Sequence, residues 1–192
     1  MESFADHYEG HPSRRESMKY AEVECLEWGC SSVYCFTDVV ISNCQTLIFG
    51  NDDQLRYVRW DSNDNANFNC ETLSFDKPVD VNHIIGIKAF HISSQAYLYL
   101  SFEKSPSEGD ISHCCICVYS LQYFEESLVI NLLQSFDLDY RPIDIDILRS
   151  FVANFLMVSG DDCDVHTYTI DNGVLLRDKD RGNLILLTAR IQ

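Results

Sequence analysis

Residues 155–170, FLMVSGDDCDVHTYTI, carry the local pattern that decides the fold. An apolar run is followed by an acidic stretch with Asp161, Asp162 and Asp164, and then by a run in which polar and apolar residues alternate. Runs rich in Val, Ile, Tyr, Phe and Thr that are bounded by Gly, Asp and Asn are typical of β-strands joined by turns. The segment therefore predicts two antiparallel strands joined by a hairpin turn.

The same alternation of strand and turn signals extends along the chain from residue 31. It forms three series, whose second strands begin near Thr46, Ala96 and Asn154, roughly 50 to 60 residues apart. Such a period is typical of β-propeller blades, and a continuous antiparallel sandwich is the alternative. The predicted fold class is all-β, with antiparallel strands in about three propeller-like blades of an incomplete β-propeller.

Two features qualify this prediction. The segment YFEESLVINLLQSF (residues 123–136) places Phe124, Leu128 and Leu132 near a helical period, so a helix is an alternative there. The Trp-Asp pair in RWDSN (residues 59–63) has no matching Gly-His before it, so the blades are not of the standard WD-repeat type.

The number of blades has a consequence for packing. Propellers usually need about four or more blades, because each blade buries its faces only against its neighbours. Three blades would leave apolar faces open, and we expect a partner, a longer form of the chain or self-association to cover them.

Length and composition indicate one globular domain. The chain has 192 residues, of which 46% are apolar and 23% charged. Residues 1–20 lack periodicity and predict a loose tail, which leaves residues 21–192 for the propeller-like domain. In the tail, Arg14-Arg15-Glu16-Ser17 fits a basophilic kinase site, but an ordinary polar tail is the favoured interpretation. The N-terminus has no apolar signal segment, so the nine cysteines are expected to be thiols in a reducing compartment.

The net charge of −16 limits the classes of partner. An acidic surface repels phosphate backbones and anionic lipid headgroups, so we expect no nucleic acid partner. No apolar run reaches the length of about 18 residues that a spanning helix requires, so we expect no direct insertion into a membrane. A basic patch on another protein would suit such a surface.

Metal sites are not predicted. Counting from Asp161, the sixth residue of a calcium loop would be His166 and the twelfth Asn172, where Gly and Glu are needed. In HCCIC (residues 113–117), Cys115 and Cys117 would share one strand face while Cys114 points the other way, which does not suit tetrahedral zinc. Cys25, Cys30, Cys35 and Cys44 form no paired knuckle either.

Catalytic residues and cofactors are not predicted either. The chain contains no G-x-S-x-G elbow, phosphate-binding loop or G-x-G-x-x-G motif. In IDIDIL (residues 143–148), Asp144 and Asp146 could form a carboxylate pair, but the solvated face of a strand, with Ile143, Ile145 and Ile147 opposite, explains the pattern better. The tyrosines Tyr97, Tyr99, Tyr119 and Tyr123 would pack between blades or, if exposed, anchor a protein partner. The chain is therefore expected to be non-enzymatic.

Several segments together resemble the kaptin family of β-propeller proteins. The segment FLMVSGDDCDVHTYTIDNG (residues 155–173) is similar to a strand, turn and strand of that family. SFDLDYRPIDIDIL, VDVNHIIGIKAFH, CSSVYCF and TLIFGNDDQLRYVRW are similar to segments upstream of it, in the same order. The resemblance covers residues 30–173, whereas the end of the chain, from Val174, matches poorly, as expected for a shortened or diverged relative.

The resemblance implies a non-enzymatic scaffold or adaptor subunit of the KICSTOR complex. That complex recruits the GATOR machinery to lysosomes and restrains amino-acid-dependent mTOR signalling. The implied partners are a propeller protein with FG-GAP-type repeats and the other KICSTOR subunits, and the implied location is cytoplasmic, peripheral at the lysosomal surface. The resemblance implies no catalytic, metal or cofactor residues.

Two alternatives remain open at this point. The family is also associated with actin filaments and hence with the actin cytoskeleton. Actin is acidic, so binding to it would need a basic patch such as Arg177, Lys179 and Arg181. A small hydrolase or metal-dependent enzyme is the alternative from another class, and it would need a deep pocket with convergent polar groups.

Overall fold

The computed structural model describes residues 35–51, 54–60, 70–78, 80–105, 114–125 and 127–176. The chain divides into two compact units, Met1–Ser31 and Ser32–Gln192, and all the described residues belong to the second. The predicted tail at residues 1–20, with Ser17, lies outside the described residues. Its boundary with the domain therefore stays a prediction.

The described residues form twelve β-strands. Their bounds are β1 (Cys35–Ile41), β2 (Cys44–Asn51), β3 (Gln54–Trp60), β4 (Cys70–Leu73), β5 (Val81–Ile92), β6 (Gln95–Lys104), β7 (Cys114–Phe124), β8 (Ser127–Leu138), β9 (Pro142–Arg149), β10 (Asn154–Gly160), β11 (Val165–Asp171) and β12 (Val174–Leu176). The second strands β2, β6 and β10 begin within two residues of the predicted positions. The period read from the sequence is therefore confirmed.

The strands form three four-stranded antiparallel sheets, each made of four consecutive strands. The first sheet has the order β1-β2-β3-β4, the second β5-β6-β7-β8 and the third β9-β10-β11-β12. A sheet in which neighbours in sequence are also neighbours in space is the meander that forms a propeller blade. The predicted all-β fold with three propeller-like blades is confirmed, and the sandwich alternative is wrong because there are three sheets rather than two.

The helix considered for residues 123–136 is also wrong. β7 continues to Phe124, and β8 pairs with it from Ser127 onward. Leu128 and Ile130 of β8 are buried against the first sheet. A two-residue spacing of buried positions fits a strand, and pairing with β7 satisfies the backbone.

The first strands of successive sheets lie side by side. β1 contacts β5, and β5 contacts β9. In a propeller the first strand of each blade lies nearest the central axis, so this arrangement is the one expected for adjacent blades.

The second sheet is buried on both faces. One core, between the first and second sheets, includes Ile48, Leu55, Leu98, Leu100 and Phe102. The other core, between the second and third sheets, includes Tyr99, Ile116, Val118, Leu156 and Val158. Successive residues of β6 and β7 point to opposite cores, which explains why both strands are almost continuously apolar.

Hydrogen bonds from backbone N–H groups to side-chain hydroxyls join the first sheet to the second. The Ala89 N–H in β5 donates to the Thr37 hydroxyl in β1 at 3.0 Å, and the Leu128 N–H in β8 donates to the Tyr57 hydroxyl at 3.2 Å. The Tyr57 hydroxyl itself donates to Glu71. Burial and this bond to Glu71 raise the pKa of Tyr57 to about 12, so it remains a donor at neutral pH.

A second set of bonds joins the second sheet to the third. The Tyr99 hydroxyl donates to the Gly173 carbonyl oxygen at 3.0 Å. The Gln134 side chain donates to the Leu175 carbonyl oxygen at 2.9 Å and accepts from the Leu175 N–H at 2.8 Å. Gln134 therefore satisfies both backbone groups of one residue of β12, which is the edge strand of the third sheet among the described strands.

Replacement of Gly173 tests the packing of the β11–β12 turn on the second sheet. Gly173 has a φ of 89°, and a Cβ placed there would collide with the Tyr97 ring. We expect Gly173→Ala to lower the free energy of unfolding by on the order of 3 kcal/mol, because strain and steric overlap add. Urea denaturation followed by circular dichroism would measure the change. Asn172→Gly is the matched control and should change stability by less than about 1 kcal/mol. Equal stability of wild type and Gly173→Ala would contradict this packing.

Candidate interaction surface

The acidic stretch at residues 161–164 is a hairpin turn whose carboxylates are used within the turn and its surroundings. The Arg141 N–H donates to Asp161 Oδ1 at 2.9 Å, and the Asp164 N–H donates to Asp162 Oδ1 at 3.2 Å. Asp162 Oδ2 lies 2.8 Å from His166 Nε2. Desolvation opposes ionisation of Asp162, but the hydrogen bonds from the Asp164 N–H and from His166 together outweigh it and hold the pKa of Asp162 below its usual range. The predicted hairpin turn between β10 and β11 is confirmed.

His166 of β11 links this turn to Tyr140, which precedes β9, through an aromatic contact. Its ring stacks on Tyr140 with the centroids 3.6 Å apart, and the hydroxyl groups of Tyr140 and Tyr168 are hydrogen-bonded at 2.8 Å. Burial and the bond to Tyr168 raise the pKa of Tyr140, so Tyr140 stays uncharged. These groups are engaged with one another, which gives them a structural role.

The cysteines of β7 lie on the two sides of the second sheet. Cys115 and Cys117 face the core shared with the first sheet, whereas Cys114 faces the core shared with the third. This separation confirms the predicted strand alternation, and His113, Cys25 and Cys30 lie outside the described residues. Burial raises the pKa of Cys114 to about 11, so it is a neutral thiol and a poor nucleophile at pH 7. Over the described ranges, no group of three or more His, Cys, Asp or Glu side chains is placed to hold a metal ion.

The aspartates of β9 lie on its exposed side, as predicted for Asp144 and Asp146, while Ile145 is buried and Ile147 is partly buried. The prediction is wrong for Ile143, which is exposed. The pairing of β9 with β10 shifts at this point, because Asp144 pairs with Ser159 but Pro142 pairs with Gly160. A bulge of this kind turns one side chain to the other face.

The four tyrosines considered as partner anchors pack between the sheets. Tyr99 and Tyr119 are fully buried, which makes an anchoring role wrong for both. Tyr97 packs against the core between the second and third sheets, and Tyr123 against the core between the first and second. Inter-blade packing is therefore the confirmed interpretation.

Four apolar residues form a patch at the β9–β10 end of the outer face of the third sheet, away from the second sheet. Ile143 of β9 and Val165 of β11 are also exposed, but they lie at the opposite end of this sheet. Leu148 and Phe155 are direct strand partners on this face. Leu148 is 48% exposed and Phe155 is half-buried. In the adjoining β9–β10 turn, Phe151 and Val152 are 112% and 94% exposed. We call Leu148, Phe151, Val152 and Phe155 the apolar patch.

The first sheet presents a different outer face. Phe36 and Val40 of β1 are exposed, but Phe49 and Val58 on the same face are only 2% and 1% exposed. Strand register places Phe49 opposite Phe36 in β2, so the two residues belong to one surface. Exposed apolar residues therefore lie on the outer faces of both end sheets, and those of the third sheet adjoin an apolar turn.

Phe151 and Val152 were not singled out from the sequence. The signal was present, because Ser-Phe-Val-Ala stands between two strands where polar turn residues are usual. The basic residues Arg177, Lys179 and Arg181, named for actin binding, lie outside the described residues. No helix among the described residues has the length and apolar character needed to cross a membrane.

Comparison with known proteins finds a solved structure that is similar to this chain. No protein-family model and no curated protein matches the chain. Among solved structures, the crystal structure of the N-terminal domain of Nup159 matches with a TM-score of 0.38 and 14% sequence identity. The match covers 76% of this chain and 41% of that chain, so this chain spans less than half of the neighbour's length. The description of the fold rests on the strand order and packing given above.

The Lys88–Asp146 ion pair between β5 and β9 yields a testable pH dependence. Lys88 Nζ lies 2.6 Å from Asp146 Oδ1 and holds the pKa of Asp146 below its ordinary value of 3.8. A depressed pKa contributes stability that is present above the ordinary value and is lost as pH falls through the folded-state pKa. We expect Asp146→Asn to reduce the free energy of unfolding at pH 7 by less than about 1 kcal/mol, because the pair is exposed. The difference should shrink below about pH 4.

Denaturant titrations of both proteins at pH 7 and pH 3 would measure this effect. Asp144→Asn is the matched control, because Asp144 accepts only the neighbouring Ile145 N–H among the described contacts of its side chain. Identical losses in the two variants would show that the ion pair contributes nothing specific.

Proposed function

We propose that this chain is a non-enzymatic scaffold subunit that acts by binding other proteins. The apolar patch is the observation that supports this proposal most directly. Contiguous exposed apolar side chains on a folded domain are typical of surfaces that bind another macromolecule. The meander sheets beneath the patch form a stable platform for it.

The chemistry of the reactive groups favours binding over catalysis. The carboxylates of the 161–164 turn accept hydrogen bonds that shape the turn, and Asp146 is paired with Lys88. The raised pKa of Cys114 keeps it in the unreactive thiol form. Each of these candidate groups has a structural role that accounts for its position.

The more specific part of the proposal is a role like that of the kaptin family. Its support is the colinear resemblance of residues 30–173, in which the resembling segments overlap described strands of each of the three blades. We propose that the chain joins an FG-GAP-repeat propeller protein in a KICSTOR-type assembly in the cytoplasm. There it would help to hold GATOR machinery at the lysosomal surface and to restrain mTOR signalling when amino acids are scarce. The described residues add nothing to the actin alternative, because its basic residues lie outside them.

Affinity purification of the full chain tests this function. We expect a tagged chain, expressed at low level in cells, to elute in size-exclusion chromatography with an FG-GAP-repeat propeller protein and other KICSTOR subunits. Mass spectrometry should find them in comparable molar amounts. An unrelated tagged propeller of similar net charge controls for nonspecific capture. Elution of the chain alone, as a monomer, would contradict the scaffold proposal, and a stable complex with other proteins would contradict only the KICSTOR role.

A further inference from the structure

We propose that the apolar patch binds a partner protein through an apolar pocket bordered by Lys or Arg side chains. This inference rests on the proposed scaffold function and adds the location of the contact and the chemistry of the partner. Three properties of the patch carry it: a turn held in one conformation, an aromatic residue at its tip, and acidic surroundings.

The β9–β10 turn is held by Ser150. Its N–H and its hydroxyl both donate to the Ala153 carbonyl oxygen, at 3.1 and 2.8 Å. The same hydroxyl accepts the N–H groups of Val152 and Ala153 at 3.3 and 3.1 Å. Phe151 and Val152 are therefore presented on a backbone that is already fixed. Binding through a preorganised segment loses less conformational entropy than binding through a flexible one.

The apolar residues continue from the tip onto the sheet. Phe151 and Val152 protrude at the end of the hairpin, and Leu148 and Phe155 form the first outward-facing strand pair below them. An aromatic side chain that inserts into a pocket, with smaller apolar residues around it, is the usual arrangement of an energetic hot spot. The patch thus fits a concave apolar site rather than a flat one.

Among the described residues, the charges on the outer face next to the patch are acidic. Asp171 lies on the same outer face, two residues along β11 from Thr169, the strand partner of Phe155. Asp144 is exposed farther along β9, and Asp146 between it and the patch is neutralised by Lys88. The nearest cation in sequence, Arg149, lies on the other side of β9, where it stacks over the Phe90 ring at 4.6 Å.

This distribution of charge indicates which side chains the partner should carry around its pocket. Together with a net charge of −16, it favours a partner with basic residues around its apolar pocket. It disfavours an anionic lipid surface, which would be repelled although Phe and Val can enter a bilayer.

Selection of peptides against the full chain tests the inference. A phage-displayed library of random peptides would be selected on immobilised protein, and enriched peptides would be synthesised for fluorescence anisotropy. We expect enriched sequences to combine aliphatic or aromatic residues with Lys or Arg. The double variant Phe151→Ser/Val152→Ser should bind them at least about tenfold more weakly, since it removes two hot-spot side chains. Higher salt should weaken binding to the wild type.

The chain offers a matched control for the double variant. Phe36 is 67% exposed on the first sheet, so Phe36→Ser removes a comparable exposed aromatic residue elsewhere and should leave peptide affinity unchanged. Both variants alter exposed positions, and equal melting temperatures of the three proteins would show that they are folded alike.

Three results would overturn the inference. The first is enrichment of peptides without basic residues, or with affinity that the double variant retains. The second is Phe151-dependent sedimentation with phosphatidylcholine–phosphatidylserine vesicles, which would assign the patch to a membrane. The third is purification of the double variant with the same cellular partners as the wild type, which would refute this surface while leaving the scaffold function intact. A wild-type chain that elutes alone from cells but selects basic apolar peptides would instead refute the scaffold function.

Discussion

The structure depends on the burial of the second sheet between its two neighbours. Both faces of β6 and β7 are apolar, so this sheet cannot be stable in water by itself. Each neighbour in turn buries its inner face only against the second sheet. Burial of apolar area is the dominant favourable contribution to folding, and here it requires all three sheets at once. We therefore expect the described strands to fold as one cooperative unit.

Polar contacts fix the order and register of these apolar layers. Apolar packing alone is not directional, whereas the bond from Ala89 to Thr37 and the bond from Tyr99 to Gly173 each require one alignment of two sheets. Gln134 adds a further constraint by occupying both backbone groups of Leu175. Buried groups that lost such partners would carry a desolvation cost, which penalises other alignments.

The sequence was informative about strands because their signals are local. The two-residue alternation in β9 and β11 and the turn residues between β10 and β11 can be read within ten or so neighbouring positions. The bond from Leu128 to Tyr57 and the bond from Tyr99 to Gly173 could not be predicted, because each joins residues more than 70 positions apart. The exposure of Ile143 was missed for a similar reason, since the bulge depends on pairing with β10. The apolar residues Phe151 and Val152 can be read in the sequence between two strands, but only the structure shows that both side chains are exposed.

The contrast between the two end sheets links this packing to binding. On the first sheet, Phe49 and Val58 of the outer face are buried, whereas the third sheet leaves Leu148 partly open beside a turn that exposes Phe151 and Val152. Stability does not require Phe151 and Val152, because both side chains are almost fully exposed and polar residues form such turns more readily. The side chains of Phe151 and Val152, on the turn that Ser150 holds, lower solubility and bury almost no apolar area on folding. These exposed apolar side chains become favourable when a contact with another protein buries them.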